Sequence, residues 1–195
     1  MARNVEIKAT IESVEALAPR AAALADEGPI AIEQDDTFFR CEHGRLKLRV
    51  LAENDGEIIF YRRADQRGPK ESEYLRTPIS SPEALRRTLA MAYGEIGRVR
   101  KRRILYLAGR TRIHIDRVEG LGDFLELEVV LEEGEPVDAG VREAQTLMEQ
   151  LGVEPSHLIE CAYVDLHAPA LWQAACAGSP APGNTPVTRR EQKGN

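Results

Sequence analysis

Apolar and polar residues alternate along much of this 195-residue chain, in runs that turn residues separate. Alternation with a period of two is typical of β-strands, whose successive side chains point to opposite faces of a sheet. The pattern predicts eight strands, at residues 3–9, 36–41, 45–52, 57–63, 72–77, 97–107, 110–118 and 123–132. Because most of these runs follow one another closely, we expect an α+β fold with antiparallel strands in one large sheet or barrel.

Three segments repeat their apolar residues at helical spacing instead. The first follows Ser13, which is expected to cap it, and Pro19 is expected to kink or split it. The second runs from Ser81 as its N-cap to Gly94, and the third begins at Asp138. We interpret these helices as scaffold that covers apolar surface of the sheet.

The polar face of the strands is dense in charge. Lys47 and Arg49 alternate with leucines in one strand, and Glu126 and Glu128 do so in another. An antiparallel sheet with one solvated face explains any single strand of this kind. The repetition in strand after strand favours a sheet that curls so that its ionic face lines an enclosed tunnel.

Such a tunnel has a cationic side and an acidic side. The cationic residues are Lys8, Lys47, Arg49, Arg62, Lys101, Arg103 and Arg112, and the acidic residues are Glu6, Asp116, Glu126 and Glu128. Unpaired buried charges cost several kcal/mol each, so we expect a strongly charged ligand. A ring of cations suits a polyanion, and carboxylates suit Mg²⁺ or Mn²⁺. A polyphosphate with its metal supplies both, which predicts phosphoryl chemistry.

Composition excludes several other functions. The formal net charge of −6 and the pI near 5.4 argue against a nucleic-acid binder or a membrane-surface binder. Cys41, Cys161 and Cys176 have no metal-ligand spacing, so we expect free thiols in a reducing compartment. No signal peptide and no long apolar run is visible in the sequence, and we therefore expect a cytoplasmic protein.

The composition changes near the C-terminal end of the chain. After about residue 168, Ala, Pro, Gly and Ser dominate. This change predicts one domain at residues 1–168 and a disordered tail at residues 169–195.

Four segments of the chain carry the motifs of a known family. They are "VEIKA" at 5–9, "LKLR" at 46–49, "VRKRR" at 99–103 and "HIDRVEGLGDFLELE" at 114–128. With these motifs the chain resembles the CYTH superfamily, also called triphosphate tunnel metalloenzymes, from about residue 3 to about residue 166. It is most similar to the class IV adenylyl cyclase branch. The resemblance implies an antiparallel eight-stranded β-barrel with helices packed outside.

The resemblance also implies roles for the charged residues. It implies that Glu6, Asp116, Glu126 and Glu128 hold Mg²⁺ or Mn²⁺, that Lys8 and Glu6 are catalytic, and that Lys8, Lys47, Arg49, Arg62, Lys101, Arg103 and Arg112 bind phosphates. Arg112 and His114 carry the weakest match. The family signature Glu-x-Glu-x-Lys begins here with Asn4, so we expect a lower affinity for metal.

The sequence leaves three functions open. An adenylyl cyclase would convert ATP to cAMP and pyrophosphate, and a triphosphatase would hydrolyse tripolyphosphate, thiamine triphosphate or a nucleoside triphosphate. A non-catalytic polyphosphate or nucleotide binder is the third, in which Asn4 marks a lost activity. The intact pair Glu126 and Glu128 argues against it. A homodimer is a further expectation from the resemblance.

Overall fold

Eight strands make up most of the protein, which the computed structural model describes from residue 1 to residue 167. They are β1 (Ala2–Thr10), β2 (Glu27–Phe39), β3 (Arg45–Ala52), β4 (Asp55–Arg63), β5 (Lys70–Ile79), β6 (Glu95–Ala108), β7 (Thr111–Val118) and β8 (Gly122–Leu131). Neighbouring strands pair antiparallel and close into a barrel in the order β1-β5-β4-β3-β2-β6-β7-β8. The predicted α+β barrel of eight strands is confirmed. The predicted tail at 169–195, with Cys176, lies outside the described residues, and the domain boundary stays a prediction.

Strand β2 begins at Glu27, well before the predicted start at residue 36. Its first residues pair only with β6, and most of their side chains are exposed. Gly28 and Pro29 interrupt the alternation there, so the pattern gave no strand signal. The longer strand adds Ile32 and Gln34 to the inner wall of the barrel, which Asp36 also lines.

Helices pack on the barrel, and the described residues contain α1 (Val14–Leu24), α2 (Pro82–Tyr93), α3 (Val137–Leu151) and α4 (Tyr163–His167). Ser13 caps α1 as predicted, because its Oγ accepts a hydrogen bond from the Ala16 N–H at 3.1 Å. The expected split at Pro19 is wrong, whereas the expected kink stays a prediction. The helix runs through that residue, since it loses one hydrogen bond there but keeps its buried face on the barrel. Helix α3 begins at Val137, one residue before the predicted Asp138.

The apolar faces of the strands point outward, and the helices cover them. Val5 and Ile7 of β1 are fully buried in a cluster that includes residues of α1 and α3. On another side of the barrel, Leu89 of α2 joins Phe39 and Leu48. Each buried aliphatic side chain contributes roughly 1.5–3 kcal/mol. The outer layer therefore holds the barrel together and leaves its interior to polar groups.

A short C-terminal segment, residues 158–167, closes one end of the barrel. Its Tyr163 belongs to an apolar cluster with Phe38, Val99 and Phe124, which line that end of the barrel. The rings of Phe124 and Tyr163 lie 4.9 Å apart between centroids. The barrel therefore has a closed end, where α4 sits.

Two buried cations, Lys70 and Arg45, hold the segment 158–167 in place. The Lys70 Nζ donates to the backbone carbonyls of Glu160 at 3.1 Å and Ile159 at 3.4 Å. Arg45 Nη1 donates to both carboxylate oxygens of Asp165 at 2.8 and 3.0 Å. Burial lowers the pKa of Lys70 to about 8. These contacts fix the segment that carries Tyr163. None of the helices in residues 1–167 is long and apolar enough to cross a membrane.

Strand β4 ends with two adjacent arginines that lie on opposite faces. Arg62 is on the outer face, where its Nε donates to the His43 carbonyl at 3.0 Å. Arg63 is inside the barrel, with its side chain 3% exposed, and pairs with Glu6. The prediction that Arg62 lines the tunnel is wrong, because the pleat allows only one of two neighbours to face inward. Because both residues are arginines, the sequence does not show which of them faces inward.

Replacing Arg63 with methionine should lower the free energy of unfolding by about 3–5 kcal/mol, because it leaves the Glu6 carboxylate buried without this partner. The same replacement at Arg62 should change it by about 0.5 kcal/mol or less. Urea unfolding followed by circular dichroism measures both values. Equal losses in the two variants would contradict the faces assigned here.

Candidate active site

The inner faces of the strands enclose a cavity of about 210 Å³. The residues predicted from the sequence that line it are Glu6, Lys8, Lys47, Arg49, Lys101, Arg103, Arg112, Glu126 and Glu128. At the end opposite α4, the side chains of Arg76 and Arg112 are 45% and 32% exposed. Solvent therefore reaches the cavity from that end.

The Lys8 ammonium lies between a carboxylate and an aromatic ring. Its Nζ is 3.5 Å from Glu126 Oε1 and 3.7 Å from the centroid of the Tyr163 ring. Arg103 Nη2 donates to the other Glu126 oxygen at 2.7 Å. Burial alone would raise the pKa of Glu126, but the charges of Lys8, Arg103 and Lys101 hold it well below its usual range. The cation is thus fixed in the lining by two contacts.

Tyr163 is a site residue that the sequence did not indicate. It lies on a five-residue helix, which is too short to show a helical period, and far along the chain from the charged strands. Its hydroxyl donates to Asp116 Oδ2 at 3.0 Å, and its ring lies 5.0 Å from Lys101 Nζ.

Asp116 is placed behind the lining. Its side chain has no exposure, and both oxygens accept hydrogen bonds, from Lys101 at 2.9 Å and from Arg103 at 2.6 and 2.7 Å. Burial would raise its pKa, but these two cations lower it. The expectation that Asp116 faces the tunnel as a metal ligand is therefore wrong, because its oxygens are already taken by the cations and by Tyr163.

Asp36 is another buried acid, and the sequence did not indicate it as a site residue. It lines the cavity and accepts hydrogen bonds from Lys47 at 2.8 Å and from Arg49 at 2.8 and 3.0 Å. Burial would raise its pKa, but Arg49 and Lys47 hold it far below its usual range. Asp36 stood at the uncertain start of a predicted strand beside a second aspartate, Asp35, so no face could be assigned to it.

Two further basic groups in the lining have lowered pKa values. Burial, together with the neighbouring charge of Arg103, lowers the pKa of Lys101 to about 7. Burial lowers the pKa of His114 well below its usual range, so the ring is neutral at neutral pH. The His114 Nδ1 is buried without a hydrogen-bond partner among the described residues and lies 3.8 Å from Glu128 Oε1.

The carboxylates of the cavity lining can hold a divalent cation only together with other ligands. Glu6 and Glu128 are directly opposite each other across β1 and β8, and the buried Asn4 Oδ1 has no hydrogen-bond partner within residues 1–167. In the same range, no three His, Cys, Asp or Glu side chains converge closely enough to hold a metal. Two carboxylates and one amide oxygen fit Mg²⁺ or Mn²⁺ when water and substrate phosphates supply the other ligands. Glu126 lines the same cavity and pairs with Lys8 and Arg103, as Glu6 pairs with Arg63, and its role as a metal ligand stays a prediction.

Comparison with known proteins gives the same architecture. A relative from Methanocaldococcus jannaschii, named "Putative adenylate cyclase MJ0240", is 27% identical over 126 residues, which cover 61% of this chain and 69% of that protein. The PH1012 protein of Pyrococcus horikoshii has a TM-score of 0.73 at 23% identity, covering 84% of this chain and 98% of that one. HpAC1 of Hippeastrum, described as having a dominant triphosphatase activity, has a TM-score of 0.58 at 15% identity, covering 93% and 98%. Both structural similarities establish the fold alone.

The family assignment rests on the length of chain that one family model covers. The model of the CYTH domain matches residues 2–163. That range contains all eight strands and reaches Tyr163 at the closed end of the barrel. This chain therefore belongs to the CYTH domain family.

Proposed function

We propose that this protein is a metal-dependent phosphoryl-transfer enzyme that hydrolyses the terminal phosphate of a triphosphate held in the barrel. The observation that carries the proposal is a small cavity with a cationic lining. Lys and Arg supply eight of the lining side chains, and Asp and Glu supply four. A linear polyanion of several charges complements this surplus.

The size of the cavity favours hydrolysis over cyclisation. Pockets that enclose drug-sized ligands occupy roughly 300–1,000 Å³, and this cavity occupies about 210 Å³. A chain of phosphates is compact, whereas a nucleoside would extend through the open end beside Arg76 and Arg112. A cyclase must hold the ribose hydroxyl against the innermost phosphate of ATP, which needs the nucleoside well ordered. Hydrolysis by water does not need an ordered nucleoside.

The lining residues have separate tasks in this proposal. The charges of the phosphate-binding residues stabilise the charge that develops during transfer. These residues are Lys8, Lys47, Arg49, Lys101, Arg103 and Arg112. Glu6, Glu128 and the Asn4 amide oxygen hold Mg²⁺ or Mn²⁺, which neutralises phosphate charge when it is bound. The predicted catalytic roles of Lys8 and Glu6 remain predictions. The contacts of Lys8 with Glu126 and Tyr163 suit a fixed phosphate-binding cation.

An adenylyl cyclase is the second candidate. The name of the Methanocaldococcus jannaschii relative favours it, since that protein matches 126 residues of this chain. The triphosphatase activity described for HpAC1 of Hippeastrum favours the first candidate. A non-catalytic binder of polyphosphate or nucleotide is the third, because Asn4 stands where the family signature has a glutamate.

Phosphorus NMR of the purified protein separates the three functions. We expect orthophosphate and pyrophosphate from tripolyphosphate when Mg²⁺ or Mn²⁺ is present, and neither product after chelation of the metal. A cyclic-nucleotide resonance with pyrophosphate from ATP would instead establish the cyclase. Tight binding of both compounds without turnover would leave the binder as the function and contradict hydrolysis.

The Asn4→Glu variant should need less metal. A third carboxylate beside Glu6 and Glu128 raises the ligand charge, so the Mg²⁺ concentration for half-maximal hydrolysis should fall roughly tenfold. A metal titration of tripolyphosphate hydrolysis measures this concentration. Asn54→Glu adds the same charge on an exposed residue of the β3–β4 turn and serves as the control. An unchanged titration for Asn4→Glu would contradict the proposed metal position.

A further inference from the structure

Two lysine–arginine pairs in the barrel are held by aspartate in the same way. In the first, Arg49 donates from Nε and Nη2 to the two oxygens of Asp36, and Lys47 Nζ donates to Oδ2. We call Asp36, Lys47 and Arg49 the Asp36 fork. The lysine and the arginine are two residues apart on one strand, β3, and the aspartate lies on the neighbouring strand, β2.

The second group repeats this pattern atom for atom. Arg103 donates from Nε and Nη2 to the two oxygens of Asp116, and Lys101 Nζ donates to Oδ2. We call these three residues the Asp116 fork. In both forks the aspartate stands directly opposite the arginine in the antiparallel ladder, as the pairs Asp36–Arg49 and Asp116–Arg103. One backbone geometry therefore explains both.

Each fork leaves donors available after the aspartate is satisfied. A guanidinium has five N–H groups, and the Asp36 fork uses two of those on Arg49. No other acceptor for Arg49 is present among the described side chains, and Arg49 and Lys47 both line the cavity. Bidentate contact with a carboxylate fixes the plane of the guanidinium. The remaining donors of Arg49 are thus held in one direction rather than spread over rotamers.

The Asp36 fork is the more accessible of the two. Its lysine and arginine side chains are 14% and 12% exposed, whereas those of Lys101 and Arg103 are 3% and 4% exposed. The Asp36 fork therefore leaves more of its cationic surface uncovered for a ligand in the cavity. The two forks line one cavity, and the charge of Arg103 acts unfavourably on Arg49. An anion with two linked phosphate groups can neutralise both.

We propose that Asp36 is a positioning residue that orients Lys47 and Arg49 to receive one phosphate group of the substrate, as Asp116 orients Lys101 and Arg103 to receive another. This inference rests on the proposed function, since it assigns phosphate groups to the forks. Asp36 itself does not touch the substrate, because its carboxylate would repel a phosphate. It acts through the two cations.

A simple counter-charge would behave differently from a positioning residue. If Asp36 only diminished the positive charge of the cavity, its removal would strengthen the binding of a polyanion. If it orients the fork, its removal weakens binding. The two roles therefore predict changes of opposite sign.

The experiment measures tripolyphosphate binding by calorimetry on the whole protein. Asp36→Asn and Asp36→Glu should both weaken binding by about tenfold or more, the loss expected when charged hydrogen bonds are misplaced. The glutamate variant keeps the charge but moves it by one methylene, so it tests orientation even where the asparagine variant does not fold. Asp35→Asn is the control, since Asp35 pairs with Arg98 outside the cavity and its loss should leave affinity unchanged. Thermal melting without ligand verifies folding.

A pH series adds a readout that a structural defect would not move. The groups that face Lys47 are Asp36, Arg49, Tyr61 and Glu126. Burial and the charge of Arg49 lower the pKa of Lys47, and Asp36 raises it. Without Asp36 the ammonium loses its proton at lower pH, so the affinity of Asp36→Asn relative to wild type should be worse at roughly pH 9 than at roughly pH 6. Asp36→Glu should show no such trend.

The possible outcomes distinguish the positioning role of Asp36 from the proposed function. Wild-type binding with unchanged or tighter binding in Asp36→Asn and Asp36→Glu overturns the positioning role and leaves the proposed function standing. No binding of tripolyphosphate by the wild type overturns both. Weaker binding in both variants, with the pH trend confined to Asp36→Asn, supports the Asp36 fork.

Discussion

Charge pairing inside a closed barrel is the interaction on which the rest of this structure depends. An isolated charge taken out of water costs several kcal/mol, and removal of one partner from a buried pair leaves the other uncompensated. Here Glu6, Asp36, Asp116 and Glu126 are all buried, and each contacts at least one lysine or arginine. Adjacent pairs share partners, as Arg103 does between Asp116 and Glu126. Asp116 and Glu126 thus belong to one connected set of charges, and Glu6 and Asp36 form separate pairs beside it.

The cavity lining contains more cations than acids, and this surplus of positive charge determines which ligands suit the cavity. The protein as a whole carries a formal charge of −6, yet lysine and arginine outnumber acids in the cavity lining. The acids prevent the cations from repelling one another and hold them in fixed directions. A polyanion would then bind without reorganising the lining, as the proposed phosphoryl transfer requires.

The interior of the barrel can be polar because the main apolar clusters lie between the strands and the helices outside it. Helices α1 and α3 cover one side of the barrel and α2 covers another, so the strands beneath them keep a buried apolar face toward the helices. The third apolar cluster fills one end of the barrel, where Tyr163 is fastened by the contacts of Lys70 and Arg45. Within residues 1–167, the exposed end of the cavity is the one beside Arg76 and Arg112.

The sequence by itself determined the alternation of apolar and ionic faces, and hence the strands, most of the helices and nine of the lining residues. It did so because the period of a strand is local and survives in a list of residues. It could not choose between Arg62 and Arg63, place Asp36 or Asp116, or find Tyr163. Those choices depend on strand register, on which donors already occupy an oxygen, and on contacts between residues far apart in the chain. Only the closed tertiary structure decides them.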